Sequence, residues 1–151
     1  MGLDELPTAE VLRLLNEHDR IAVDAVREAL DDLATLVDIA VDRFRRGGRI
    51  HYFGAGTSGR LAVLDAAELI PTSNLPEGRV VAHIAGGPDA FLRAVEDAED
   101  SHESGALAAS VISADDVAIG LAASGNTPYV RGALQVARDR GAHTALVSCN
   151  P

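Results

Sequence analysis

With 151 residues, 47% of them hydrophobic, the chain has about one domain's length and enough apolar content to bury a core without disulfides or a structural metal. Its formal net charge of −10 speaks against a general nucleic-acid partner, which would need a basic surface. No run approaches the roughly 18 uncharged apolar residues of a membrane span. The start, Met1-Gly2-Leu3-Asp4, has no basic-then-apolar secretion signal, and the single Cys149 cannot close an internal disulfide, so a cytoplasmic protein is expected.

Thr8 opens a short helix carrying Val11, Leu12, Leu14 and Leu15. From about Asp19 to Arg46, the recurrence of Val23, Val26, Leu30, Leu33, Val37, Val41 and Phe44 predicts a longer one-sided helix, ended by Gly47-Gly48. Residues 1–46 thus read as amino-terminal helices. Over 47–151 the grammar changes. Arg49–Phe53, Val80–Ala85, Val117–Ala122 and Thr144–Ser148 are short apolar runs that mostly stop at Gly or Ser, as strands buried on both faces do. Helical stretches are expected at about Ser58–Leu69, Pro88–Asp100, Glu103–Val111 and Pro128–Arg140, with a loop over Pro71–Gly78. Alternating strand and helix predicts an α/β fold: a doubly wound parallel sheet flanked by helices. With aromatics at only 3%, its core must be aliphatic.

Gly54-Ala55-Gly56-Thr57-Ser58-Gly59 follows the first strand and opens a helix. Its G-x-G-x-x-G spacing suits a dinucleotide, but the second strand ends in Ala85-Gly86-Gly87, without the acid that would hold a ribose hydroxyl. Two hydroxyls at a helix start also make a small phosphate cradle. The bland reading is a tight turn with Thr57 or Ser58 as N-cap. Ala123-Ser124-Gly125-Asn126-Thr127-Pro128 repeats the same chemistry after the third strand. In a flavodoxin-like order, 2-1-3-4, the first and third strands are neighbours at the switch point, where ligands bind outside the strands' carboxyl ends. Separate capped turns do not explain that shared address, which favours an anion site.

Asp65 and Glu68 lie one turn apart on the helix after the first loop, and Glu96, Asp97, Glu99 and Asp100 crowd the end of the next one. Acids at a helix C-terminus oppose the macrodipole, so one or two of them are candidates for chemistry, the rest forming a solvated face. His51 and His83 read as hydrogen-bonded core histidines, Arg60, beside the first loop, as solvent-facing with reach to an anion as its alternative, and Cys149 as a small buried hydrophobe. His18, His102 and His143 lack metal-ligand spacing, and no metal is expected.

The stretch from Tyr52 through Gly54-Ala55-Gly56-Thr57-Ser58-Gly59-Arg60 to Glu68 closely resembles the N-acetylmuramic acid 6-phosphate etherases. Ile84-Ala85-Gly86-Gly87-Pro88, Ala94–Asp100, Ala122–Val130, Leu6–Glu10 and Ser148–Pro151 extend the likeness to nearly the whole chain. The resemblance implies one sugar isomerase (SIS) domain over 1–151, a homodimer with sites near its interface, and a phosphorylated amino sugar as partner. The reaction it implies is lyase cleavage of the lactyl ether to N-acetylglucosamine 6-phosphate and D-lactate in cell-wall recycling, without a cofactor. Gly56, Thr57, Ser58 and Gly59, with Ser124, Gly125, Asn126 and Thr127, then become the phosphate-binding residues. Glu99 falls on the family's base, and Glu68 on its acid that later activates water. Three departures stand out. Leu69-Ile70 replaces the usual Cys-Pro, Asn126 stands where Arg is usual, and the core lacks the family's fifth strand and helical tail, so an incomplete carboxyl-terminal side is expected. A non-catalytic sugar-phosphate sensor on the same fold is the alternative.

Overall fold

The computed structural model describes residues 2–150, which divide between Asp38 and Ile39 into two compact units. The first holds a 3-10 turn (Leu3–Glu5), helix α1 (Thr8–Glu28) and the start of α2 (Leu30–Arg45). The helical pattern is right but its break is not where the sequence suggests. Polar His18-Asp19 lies inside α1, because nothing there opposes helical geometry, and the chain turns at Ala29 instead.

The second unit follows the rest of α2 with β1 (Ile50–Gly54), α3 (Gly56–Ser73), β2 (Val80–Ile84) and α4 (Asp89–Leu92). After these come α5 (His102–Ala108), β3 (Val117–Leu121), α6 (Pro128–Asp139) and β4 (His143–Val147). The four strands are parallel in the order β2-β1-β3-β4, with β1 and β3 central and in register from Ile50↔Val117 to Gly54↔Leu121. β3 is buried along Val117–Gly120, whereas the edge strands β2 and β4 are only partly covered. The core is mostly alanine, with Phe53 and Tyr129 as its large members. Small residues let helix and sheet backbones approach closely, as the aliphatic composition implies.

Two helices differ from expectation. α3 runs on through Pro71, which removes only one bond in its last turn, and ends at Asn74 in a left-handed conformation. The predicted loop is correspondingly shorter. α4 stops at Leu92, not Asp100, and Arg93 is extended. The carbonyls of Phe91 and Arg93 accept from the Arg60 guanidinium instead of from a continuing helix.

The amino ends of the strands are tied by arginines and one buried acid. Asp116, 1% exposed, accepts from the Arg49 and Ser113 backbone N–H groups at 2.7 Å each and from the Ser113 hydroxyl at 2.9 Å. Burial pushes its carboxyl up, but these hydrogen bonds, with the Arg49 guanidinium, hold it below the usual carboxylate range. Arg79 lies over the Phe44 ring and donates to the Phe44 and Gly48 carbonyls, while Arg43 donates to the carbonyls of Ala114 and Asp116.

His51, fully buried on β1, lies between Asp116 and His83. Its Nδ1 is 3.0 Å from His83 Nε2, and its Nε2 is 3.8 Å from Asp116 Oδ2. His51 is the core histidine the sequence suggests, whereas His83, on the edge strand β2, is only half-buried and borders a cavity. Burial, then the neighbouring His83 and Arg49, push His51 down to about 4 against the opposing pull of Asp116. His83 is lowered for similar reasons. Because the folded state holds His51 neutral, its contribution to stability is present above the unfolded value near 6.5. It is lost as pH falls from there to about 4. Urea unfolding of the protein is therefore expected at a markedly lower midpoint at pH 4.5 than at pH 7.5, and His51→Asn should flatten that difference. Equal midpoints at the two pH values in the parent protein would contradict a neutral buried His51.

Candidate functional site

The first loop is built by close packing. A Cβ on Gly54 would lie 2.8 Å from the Gly59 nitrogen, and one on Gly59 would lie 2.7 Å from the Ile84 side chain. Strand and helix therefore meet only because both positions are glycine. Gly56 opens α3 at φ +52, which a side chain would resist. The N-cap is Ala55, which has no capping group, so neither Thr57 nor Ser58 serves as the cap. The Gly59 N–H is already given to the Ala55 carbonyl. The N–H groups of Gly56, Thr57 and Ser58, ahead of it in the first helical turn, have no carbonyl of the helix to meet. Thr57 is exposed and Ser58 half-buried. The first loop thus presents N–H groups and two hydroxyls at the positive end of an 18-residue helix.

The second loop leaves β3 through a turn in which the Gly125 N–H donates to the Ala122 carbonyl at 2.8 Å. Ser124 Oγ accepts from the Asn126 N–H at 3.2 Å. Thr127 is the N-cap of α6 without using its hydroxyl, and Pro128 takes the first helical position, where its missing N–H costs nothing. Since Gly54 and Leu121 are in register, both loops leave from the same end of adjacent strands. Three neighbours of this loop were not legible as such. Arg131, one turn into α6, donates to Asn126 Oδ1 at 3.1 Å. The Cys149 N–H and Asn150 side chain both donate to the Ala123 carbonyl. Cys149 itself is exposed beyond β4 rather than a buried hydrophobe, because its backbone, not its side chain, faces the loop.

The acidic cluster Glu96–Asp100 lies in an irregular strap and a 3-10 turn (Ala98–Asp100), not at a helix end, so the macrodipole argument does not apply to it. The strap borders a cavity of about 130 Å³ whose wall includes Ala55, Gly56, Val95, Glu96 and Glu99. Glu99 and the first loop are thereby brought together. Glu68 does not line this cavity. It stands twelve residues past Gly56 on α3, about 18 Å along the axis, exposed and on one face with Leu61 and Leu64. Nearby, burial and then the Asp65 carboxylate push the Tyr52 hydroxyl up to about 12, so it stays a proton donor. A larger cavity of about 630 Å³, bordered by Val63, His83, Gly87, Leu107 and Tyr129, touches neither hydroxyl loop. Among the described residues, no group of three or more His, Cys, Asp or Glu side chains could hold a metal ion. No helix of the described residues is long and apolar enough to cross a membrane.

Comparison with known proteins agrees with this architecture. The etherase of Thermobifida fusca, N-acetylmuramic acid 6-phosphate etherase by name, is 56% identical over 99% of this chain and 49% of its own length. The protein of the same name from Salmonella typhimurium is 53% identical over all of this chain and 52% of its own. The chain spans about half the length of the curated relatives it matches. In structure it resembles the phosphoheptose isomerase of Neisseria gonorrhoeae, with a TM-score of 0.68 at 20% identity over 93% of this chain and 73% of that one. The Francisella tularensis isomerase gives 0.68 at 19% identity over 91% and 74%. These two show the SIS-type fold. The family model for the glucokinase regulatory protein N-terminal SIS domain matches residues 32–138. The chain therefore belongs to that SIS-domain family, and the curated relatives it matches are N-acetylmuramic acid 6-phosphate etherases.

Proposed function

We propose that this chain is the phosphosugar-binding part of a lyase that opens the D-lactyl ether of N-acetylmuramic acid 6-phosphate. The observation that carries the reading is the pair of hydroxyl-bearing helix starts, Gly56–Ser58 and Ser124–Thr127, at the carboxyl ends of adjacent strands. Such a cradle takes a phosphate through N–H groups and hydroxyls, without needing a basic surface on a chain of net charge −10. The names of the curated relatives supply the substrate.

With the phosphate held there, the open-chain aldehyde makes the C2 proton removable. The Glu99 carboxylate takes it, and the C3–oxygen bond breaks as a carboxylic acid protonates the departing lactate oxygen. Water then adds across the double bond, its hydroxyl to C3 and a proton to C2, giving N-acetylglucosamine 6-phosphate. Glu68 is the second carboxyl. A sugar phosphate is far shorter than the distance from Gly56 to Glu68 on one α3, so Glu68 serves the site of a second copy in a homodimer. The exposed Leu61 and Leu64 beside it support an interface on that face.

The deciding experiment is lactate release from N-acetylmuramic acid 6-phosphate by the full-length protein, with calorimetric binding of the same sugar phosphate in parallel. Release is the expected result. Binding without release would favour the second reading, a SIS-domain sensor of sugar phosphates, which the name of the matching family model suggests. Absence of both would overturn the phosphate cradle itself.

A further inference from the structure

Arg60 is the residue after the first glycine loop, and it does not face solvent idly. Its Nε donates to the Phe91 carbonyl at 3.1 Å and its Nη2 to the Arg93 carbonyl at 3.1 Å. These carbonyls sit where α4 ends and the strap begins. From Arg93 the chain runs through Ala94–Glu96, reverses at Asp97 with φ +59, and enters the turn that carries Glu99. The strap is also seated from below, since a Cβ on Gly86 would lie 2.9 Å from Val95 Cβ. Between strap and first loop lies the cavity walled by Gly56 and Glu99. The helix that presents the phosphate loop therefore also holds the root of the segment that presents the carboxylate.

We propose that Arg60 is a positioning residue, clamping the strap to α3 so that Glu99 stands in fixed geometry over the first loop. The planar guanidinium suits this task because its fork reaches two carbonyls at once, and a Lys ammonium on a flexible stem cannot hold both in one geometry. The inference deepens the functional reading above and rests on it for the role of Glu99. The clamp itself is a matter of structure and can be tested without the reaction.

The test compares Arg60→Ala and Arg60→Lys with the parent in the full-length protein, by amide hydrogen exchange and by steady-state lactate release. In Arg60→Ala the Arg93 and Asp100 amides, which donate to the Asp89 and Asp97 carbonyls at the two ends of the strap, are expected to exchange at least about tenfold faster while β1 and β3 keep their protection. Lactate kcat should fall about a hundredfold, as a misplacement near 1 Å produces, with KM changed by no more than about threefold. Arg60→Lys should fall between the two proteins on both measures. Unchanged exchange in the strap overturns the clamp, and faster exchange with an unchanged kcat overturns its link to Glu99. If the strap loosens in Arg60→Ala but the parent releases no lactate, the clamp stands and the lyase reading is what fails.

Discussion

Replacing Glu99 by Gln in the full-length protein is expected to lower lactate release by about a thousandfold while leaving phosphosugar affinity within a few-fold, as loss of one general base produces. The separation follows from where the groups sit. In the proposed reading affinity is drawn from the N–H groups and hydroxyls of Gly56–Ser58 and Ser124–Thr127, at the ends of β1 and β3. Proton removal, in the same reading, is drawn from Glu99 on the strap, which shares a cavity wall with Gly56. Gln has the size and planarity of Glu, so it keeps the strap's fit while losing the ability to take a proton. A loss confined to kcat therefore marks an interaction made in the transition state only. The measurement is steady-state lactate release beside calorimetric affinity for the same sugar phosphate. A Glu99→Gln protein that keeps more than a tenth of the parent rate would mean that the C2 proton leaves by another route.

The strands were legible because each is a short apolar run ending near a small residue, and parallel strands need no alternation to be recognised. Their order, β2-β1-β3-β4, is the flavodoxin-like one supposed from the sequence, in which the two similar loops leave neighbouring strands. Helix limits were harder. The stop of α4 at Leu92 depends on a guanidinium that arrives from α3, 31 residues away in sequence, and no local signal at Phe91 or Arg93 announces it. The same contact hid the role of Arg60, since a lone Arg on a helix reads as solvated. Glycine was ambiguous for the opposite reason. The G-x-G-x-x-G spacing records how closely α3 approaches β1 and β2, a packing demand that many ligands and many bare turns share. What points to an anion is the hydroxyls between the glycines, together with an N-cap, Ala55, that makes no use of them. For the acids, sequence pattern named a crowd, Glu96 to Asp100, and the resemblance picked Glu99 from it; the fold adds that Glu96, Asp97 and Glu99 share a cavity wall with the first loop while Glu68 does not.

That separation carries the strongest expectation about assembly. If Glu68 works in the site of a second copy, Glu68→Ala and Glu99→Ala proteins are each inactive alone, yet their mixture should recover activity. In a dimer that pairs crosswise, one site of each mixed dimer draws Glu99 from one copy and Glu68 from the other, so it can be intact while its twin lacks both. Random exchange of subunits from equal amounts then leaves about a quarter of all sites complete. The alternative geometry gives a sharply different answer. If both glutamates acted in the site of their own chain, every site in every mixture would lack one of them, and no recovery would occur. Leu61 and Leu64, 58% and 53% exposed, share the face of α3 with Glu68, so an interface there would cover apolar surface and carry the carboxylate across together. Co-expression of the two variants with different affinity tags, isolation of the doubly tagged dimer and a lactate assay would measure it. Activity near half of the parent's per purified mixed dimer is the expected value, to order of magnitude. A silent mixed dimer would return Glu68 to its own chain's site, or out of the reaction altogether.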